Sequence, residues 1–190
     1  MPRGSETREA LLDAALAAMA ERGFHGTSVP ELAERAGVGA ATMYRHFESK
    51  EALANALYLH AKRRFAARLW DGFPPDLPVR KAIQEVWSRL AELAVHDTAL
   101  VLFLEMQHHE TYLTEETCEA AKDLVLDPLE AILRRGQAEG IVRGDAPGVL
   151  LAFLSGAFHG LAKAAIGPGG RVDARLVRRG EALAWAAIRA

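Results

Sequence analysis

The feature of this 190-residue sequence that most constrains its fold is the stretch 28–50, which reads SVPELAERAGVGAATMYRHFESK. Ser28 followed three positions later by Glu31 is the pattern of a capping box, so it predicts a helix that begins immediately after the serine. Gly37 ends this helix, because glycine tolerates the left-handed backbone conformation found just beyond a helix C-terminus. A second short helix is predicted over residues 40–47. Two short helices joined by a tight glycine turn are typical of a helix-turn-helix.

The second short helix has an apolar side and a polar side. Met43 and Phe47, with Val38 from the turn, are apolar and fall on one side, which predicts that they attach the helix to a core. The other side carries small and polar residues, namely Ala40, Ala41, Thr42, Tyr44, Arg45 and His46. Small residues allow close approach to thymine methyl groups, hydroxyls bind phosphates, and arginine binds guanine or phosphate. This side therefore suits a DNA groove.

Lys50 supports the same interpretation. It follows Ser49, the predicted N-cap of the next helix, where a cation opposes the helix dipole by about 0.3–1 kcal/mol unless an anion such as phosphate also binds there. The alternative is an ordinary helical hairpin with a solvated polar face, because short helix pairs with glycine turns are common in all-α proteins.

The segment 7–53 resembles the tetracycline-repressor (TetR) family of bacterial transcription regulators. The matching residues are TREALLDAALAAMAERGFHGTSVPELAERAGVGAATMYRHFESKEAL, which include the Ala-Gly-Val turn, Thr42, Tyr44, Phe47, Ser49 and Lys50. The resemblance implies that Thr42, Tyr44 and Lys50 contact DNA. It also implies that Ala40, Ala41 and Arg45 occupy the positions that read the DNA sequence, which vary within the family.

Gly39 departs from the serine that the family often has as the N-cap of its second short helix. Glycine caps almost as well as serine, so we expect the helix to be kept with a looser first turn. The predicted DNA-binding set is Ser28, Ala40, Ala41, Thr42, Tyr44, Arg45, His46 and Lys50.

Composition bounds the class of protein. Half of the residues are hydrophobic and 25% are charged, so the chain can bury a core and form one large helical domain or two small ones. A single cysteine, Cys118, excludes an intrachain disulfide framework and fits a reducing compartment. The sequence has no apolar export signal and no run of about 18 uncharged apolar residues, which predicts a cytoplasmic protein without a membrane span.

The charge distribution is almost balanced. The net charge is −2, which argues against a general electrostatic attraction to nucleic acid. Over residues 1–68, ten basic side chains face eight acidic ones. DNA binding must therefore depend on a few well-placed contacts, and we expect weak non-specific affinity.

The first 70 residues predict a small head and a connecting helix. A helix over 6–22 has an apolar stripe of Leu12, Ala15, Leu16 and Met19 and ends at Gly23. A longer helix runs from Lys50 to about Trp70, and the loop GFPPDLP over 72–78 ends it. We predict a helix-turn-helix DNA-binding domain over 1–48 and a helical ligand-binding and dimerisation domain over 49–190, with Lys50 to about Trp70 as the connector.

The second half of the sequence contains helical patterns and no strand-like alternation of useful length. Amphipathic helices are predicted over 79–96 and 97–109, and Thr114 caps a longer one that carries Cys118 on its apolar stripe. Asp145 starts a helix that is apolar on nearly every side, and Asp173 caps the last helix. The predicted fold class is all-α.

The last two helices predict a homodimer. The helix over about 146–166 must be covered all round, and the final helix over 173–190 adds Leu176, Leu183 and other apolar residues. Small residues at Gly156, Ala157 and Gly160 favour close helix crossing, so two helices per subunit predict a four-helix bundle between two copies. The TetR resemblance implies the same arrangement.

Large apolar side chains and a few histidines in the middle of the chain predict a small-molecule site. The predicted ligand-binding set is Trp87, Phe103, Met106, His109, Tyr112, Phe153 and His159, with Phe158 and His108 as further candidates. For each residue the competing interpretation is plain core packing. A metal site formed by His96, Asp97, His108 and His109 is less favoured, since no HxxxH or HExxH pattern occurs.

Catalysis has little support in the sequence. Cys118 has no histidine nearby in sequence, the loop GPGG lacks the lysine and hydroxyl of a phosphate-binding loop, and no nucleophile elbow occurs. We therefore predict a ligand-responsive transcriptional regulator that binds a pseudo-palindromic operator as a dimer and is released by a small apolar or aromatic effector. No cofactor or metal is expected. The alternatives are a helical ligand-binding or adaptor dimer without DNA binding, and a small helical enzyme.

Overall fold

The structure is a computed structural model that describes residues 4–106, 109, 111–167 and 173–190, with positions 4, 5, 106 and 123 described by their backbone only. Within these ranges the chain forms nine α-helices and no strand, which confirms the predicted all-α class. The helices are α1 Gly4–Arg22, α2 Val29–Arg35, α3 Ala40–His46, α4 Lys50–Trp70, α5 Val79–His96, α6 Thr98–Met106, α7 Glu115–Ala138, α8 Pro147–Ala165 and α9 Ala174–Ile188.

The helices assemble into two compact units. The first, here called the head unit, contains the described residues up to Arg64 together with Ala99–Ala121. The second unit contains Phe65–Thr98 and Lys122–Ala190. Helices α4, α6 and α7 contribute residues to both units. The domain boundary predicted after residue 48 falls inside the head unit.

The turn between α2 and α3 has the predicted glycine geometry. Gly37 has a φ of +69°, its N–H donates to Glu34 O over 2.9 Å, and the Val38 N–H donates to Ala33 O over 2.9 Å. This pair of bonds is a Schellman motif, which satisfies carbonyls that the helix end would otherwise leave unpaired. The turn between the two short helices is therefore fixed by local backbone bonds.

The predicted capping box at the start of α2 is wrong in its chemistry, although the helix begins where expected. The Ser28 side chain makes no capping hydrogen bond. Pro30 at the second helical position removes one of the two N–H groups that a capping hydroxyl can accept from, and the Glu31 N–H, which a capping box would use, makes no bond to the Ser28 hydroxyl. The Glu31 carboxylate instead pairs with Arg22 and lies 3.3 Å from Arg35 Nε.

Three other predicted caps are confirmed. Ser49 Oγ accepts the Ala52 N–H over 3.0 Å at the start of α4, and Thr114 Oγ1 accepts the Thr117 N–H over 3.2 Å before α7. Before α9, the Asp173 carboxylate accepts the Arg175 N–H over 2.9 Å. Each bond satisfies one of the N–H groups that a helix start leaves without an internal partner.

Two sequence interpretations need correction. Helix α8 does not start at Asp145, because its N-cap is Ala146 and its first turn contains Pro147, and the Asp145 carboxylate pairs with Arg143. Cys118 is exposed and does not lie in the apolar stripe of α7.

The second unit is built around contacts of α9 with α5 and α8. Trp87 on α5 is buried, and its indole N–H donates to Val177 O over 2.6 Å. The Arg80 guanidinium pairs with both carboxylate oxygens of Glu181. A buried tryptophan with its N–H satisfied orients α5 against α9.

Helix α8 is covered on one side only within a single chain. Its buried side includes Leu150, Leu154 and Phe158, whereas Val149 is 61% exposed and Phe153 is 52% exposed. The expectation of all-round cover is therefore not met inside one copy. By length and composition α8 could also cross a membrane, but one such helix is weak evidence for a span, and its buried side packs against α9.

Gly136 is a position of close packing in the second unit. A Cβ atom built at this position would clash with Val142 Cγ2 and would lie 2.9 Å from Val79 Cγ1. Both valines are buried, and β-branched side chains have little freedom to rotate away. Glycine at this position lets α7 pack directly on its neighbours.

We expect Gly136→Ala to lower the free energy of unfolding by about 1–3 kcal/mol, because overpacking outweighs the gain in helix propensity. The control is Gly148→Ala, where an added Cβ would meet no atom within 4 Å. Urea denaturation of both variants provides the measurement. A Gly136→Ala protein as stable as the control would contradict this account of the packing.

Candidate nucleic-acid interface

Helix α3 presents the face that the sequence predicts for DNA. On its inner side Met43 is 1% exposed and Phe47, which follows the helix, is 5% exposed. On its outer side Tyr44 is 54% exposed, and Ala41 and Arg45 are also exposed. The other outward positions, Ala40, Thr42 and His46, are half-buried. The predicted division of this helix into two sides is confirmed.

The protein core holds α3 in place. A helix of seven residues is not stable alone in water, so burial of Met43 and Phe47 must supply what propensity cannot. The Arg8 guanidinium of α1 also lies 5.2 Å from the centre of the Phe47 ring, at cation–π distance. Gly39 forms the N-cap without a side-chain bond, as expected.

Arg45 is available for a negatively charged partner. Several arginines of the head unit pair with carboxylates, as Arg22 and Arg35 do with Glu31 and Arg64 does with Asp13 at 3.7 Å. Arg45 makes no ion pair within the part of the chain that the structure describes. An exposed guanidinium without a carboxylate partner is suited to phosphate or guanine.

Lys50 makes contacts that the sequence did not indicate. Its ammonium donates hydrogen bonds to the carbonyls of Phe24 and Thr27, the latter over 2.6 Å, and lies 4.2 Å from the centre of the Phe24 ring. Partial burial lowers the pKa of Lys50, and the neighbouring Glu51 carboxylate opposes that shift. An ammonium has three N–H groups, so one remains for a phosphate.

Ser28 lies exposed at the N-cap of α2, where its hydroxyl makes no capping bond. The preceding residue, Thr27, is buried, and its hydroxyl donates to Phe24 O over 2.9 Å. Thr27 therefore serves the turn, whereas Ser28 faces solvent near the start of the helix-turn-helix.

The predicted ligand-binding residues fall into both compact units. Phe103, His109 and Tyr112 are buried together in the head unit. Trp87, Phe153 and His159 belong to the second unit. The side chain of Met106 and residue His108 lie outside the described part of the structure.

The buried histidine of the head unit has a defined hydrogen-bond pattern. His109 Nε2 lies 2.7 Å from Phe103 O, and His109 Nδ1 bonds to the Tyr112 hydroxyl. A carbonyl can only accept, so we assign the proton to Nε2 and make Nδ1 the acceptor of the phenol O–H. Burial raises the pKa of Tyr58 and of Tyr112 to about 12, so both phenols are neutral at physiological pH.

In the second unit, the predicted ligand-binding residues have different surroundings. Trp87 is packed with its N–H satisfied, Phe153 is exposed on α8, and His159 is half-buried. A cleft of about 200 Å³ beside α5 contains none of the predicted ligand-binding residues, and its lining is Arg68, Arg89, Glu92, Leu93, His96 and Asp97. Among the described side chains, no group of three or more His, Cys, Asp or Glu is placed to hold a metal ion.

A short helix anchored by its apolar side, preceded by a Schellman turn and exposing an arginine and a tyrosine, defines a helix-turn-helix DNA-binding protein. Residues 11–57 match the family model described as "Bacterial regulatory proteins, tetR family". Residues 58–190 match the model described as "Tetracyclin repressor-like, C-terminal domain". The chain belongs to the TetR family and is a DNA-binding transcriptional regulator.

Comparisons with individual proteins agree with this assignment. The chain is 32% identical over 153 residues to the HTH-type transcriptional regulator TtgR of Pseudomonas putida, covering 76% of this chain and 70% of that protein. It is 27% identical over 135 residues to the Fatty acid metabolism regulator protein of Bacillus subtilis (strain 168), covering 70% and 69%. A solved TetR family protein from Vibrio parahaemolyticus superposes with a TM-score of 0.79 at 27% identity, covering 97% of this chain and 99% of that one. The relatives are regulators and not enzymes.

Proposed function

We propose that this protein is a cytoplasmic repressor that binds a pseudo-palindromic operator and leaves it when a small apolar or aromatic effector binds. The observation that carries the DNA-binding part is the exposed outer side of α3, where Arg45 has no ion-pair partner among the described residues. We assign base reading to Arg45 with Ala40 and Ala41. The phosphate contacts are assigned to Ser28, Thr42, Tyr44, His46 and the remaining N–H of Lys50.

We expect Arg45→Ala to weaken operator binding by about 1–3 kcal/mol and to relax base preference at one position of each half-site. Selection of bound sites from random DNA, followed by fluorescence anisotropy on the selected operator, tests both effects. The control is Arg63→Ala, which removes the same charge from an exposed position of α4 outside the proposed surface. Equal losses for the two variants would mean that Arg45 contributes only general charge.

We propose that the dimer forms through the helices in 146–166 and 173–190. Val149, Phe153, Gly156 and Gly160 lie at intervals of four, three and four residues, so they share one face of α8, and all are exposed in the single chain. Leu183 on α9 is 73% exposed. Apolar stripes of this kind are typical of surfaces that a second copy covers, and TetR regulators typically act as dimers.

We expect Phe153→Glu to abolish dimerisation, because the dimer would bury an unpaired carboxylate at its contact. Light scattering gives the mass of the assembly, and operator binding should be lost in parallel. The control is Ile141→Glu, which replaces another exposed apolar side chain outside the stripe. If Phe153→Glu remains a dimer, the subunits meet through another surface.

The proposed effector is a small uncharged compound with an apolar or aromatic body. The candidate residues for it, considered separately in each unit, are Phe103, His109 and Tyr112 in the head unit and Trp87 with His159 in the second unit. The support is chemical, because these candidate residues are mostly aromatic. Burial also raises the pKa of Tyr112 to about 12, which keeps its phenol neutral at physiological pH. Burying an anion or a sugar among such groups would leave polar atoms without partners. The kinship with ligand-responsive repressors supports the regulatory step.

We expect a true effector to change the fluorescence of Trp87 in a variant that keeps this tryptophan alone, Trp70→Phe with Trp185→Phe. By linkage, the effector should weaken operator affinity by the same factor by which the operator weakens effector affinity, commonly about 5- to 150-fold. A panel of apolar, aromatic, anionic and sugar compounds covers the alternatives. If compounds bind without changing operator affinity, the proposed regulation is rejected, whereas the proposed DNA binding is unaffected.

A further inference from the structure

Phe24 in the turn between α1 and α2 is contacted from two distant parts of the chain. Its ring stacks on the Tyr112 ring, with centroids 4.3 Å apart and an angle of 22° between the planes. The Lys50 ammonium lies 4.2 Å from the same ring and binds the carbonyls of Phe24 and Thr27. All these residues belong to the head unit. The turn is therefore held by Lys50 of α4 and by Tyr112.

Tyr112 is held in place by its backbone and by its hydroxyl. Asn55 Nδ2 donates to Tyr112 O over 2.8 Å, and Asn55 Oδ1 accepts the Thr114 N–H over 2.9 Å. The Tyr112 hydroxyl bonds to His109, whose other ring nitrogen bonds to Phe103 O. With its backbone carbonyl and its hydroxyl both bonded, the Tyr112 side chain cannot swing away from Phe24 without breaking a hydrogen bond. Tyr112 is thus a rigid platform for Phe24.

The turn that contains Phe24 connects α1 to α2 and so affects how α2 and α3 are oriented on α1. Helix α2 begins at Val29, five residues after Phe24, and the Schellman turn fixes α3 to α2. Inside the turn, the Thr27 N–H reaches Phe24 O only over 3.4 Å, which is a long hydrogen bond. The stack and the lysine therefore act together with the Thr27 hydroxyl bond to Phe24 O and the Arg22–Glu31 pair in orienting α2 and α3.

We propose that Tyr112 is a positioning residue for operator binding, which acts through its stack on Phe24 and does not touch DNA. This inference rests on the proposed DNA surface of α3. It also assigns Lys50 a positioning role beside its phosphate contact. Loss of the stack leaves the basic residues in place, so it should reduce specific binding more than non-specific binding.

The test measures the affinity of the 190-residue chain for the selected operator and for random DNA. We expect Tyr112→Leu to weaken operator binding about 2- to 12-fold, the range for one lost aromatic pair, with random-DNA affinity unchanged. Tyr112→Phe keeps the stack and should retain operator affinity within about twofold. Tyr58→Leu is the matched control. The Tyr58 ring centroid lies 4.9 Å from that of His109, but Tyr58 is not part of the stack on Phe24.

A double-mutant cycle separates positioning from a general loss of stability. If Tyr112 acts through Phe24, adding Tyr112→Leu to Phe24→Leu should cost no further operator affinity. Additive losses, a Tyr112→Leu protein that binds the operator as wild type does, or equal losses on operator and random DNA would each overturn the inference. A wild-type protein that selects no operator would instead reject the proposed DNA surface, so the two failures are distinguishable.

Discussion

The burial of Met43 and Phe47 is the interaction on which the DNA-binding surface depends. Helix α3 has seven residues, too few to be stable by hydrogen bonding alone, and its N-cap is a glycine without a capping side chain. Packing of two large apolar groups therefore both forms the helix and orients it. Because these two groups face inward, Tyr44 and Arg45 must face outward.

The rest of the head unit keeps helix α3 in a fixed orientation. The Schellman turn at Gly37 sets the angle between α2 and α3 by backbone bonds alone. The turn before α2 is held differently, by Lys50 bonding to two carbonyls and by a ring stack with Tyr112. Lys50 donates to two carbonyls inside the head unit, and its third N–H is the one to which we assign a phosphate contact.

The second unit combines a closely packed interior with an exposed apolar surface. Trp87, Val177 and Gly136 show close packing with satisfied polar groups, whereas the exposed stripe of α8 shows apolar surface without cover in one chain. In the dimer that we propose, a second copy covers this stripe. Helix α8 would then bury two faces, which accounts for a composition similar to that of a membrane span.

The sequence by itself determined the helices and several of their ends. Gly37, Ser49, Thr114 and Asp173 were readable because turns and caps involve residues within a few positions of one another. The inward side of α3 was readable for the same reason. Local rules failed at Ser28, whose hydroxyl makes no capping bond while Glu31 pairs with Arg22, and at Asp145, which pairs with Arg143.

Only the tertiary structure decided which side chains meet across long separations. Lys50 bonds to carbonyls 23 and 26 residues earlier, and Asn55 reaches Tyr112 over 57 residues. The sequence assigned Tyr112 to an effector site and Phe153 to a pocket wall, but the structure places one in a stack on Phe24 and the other on an exposed helix face. Composition predicts that aromatic side chains are buried or bind ligands, but only the packed chain determines what each ring touches.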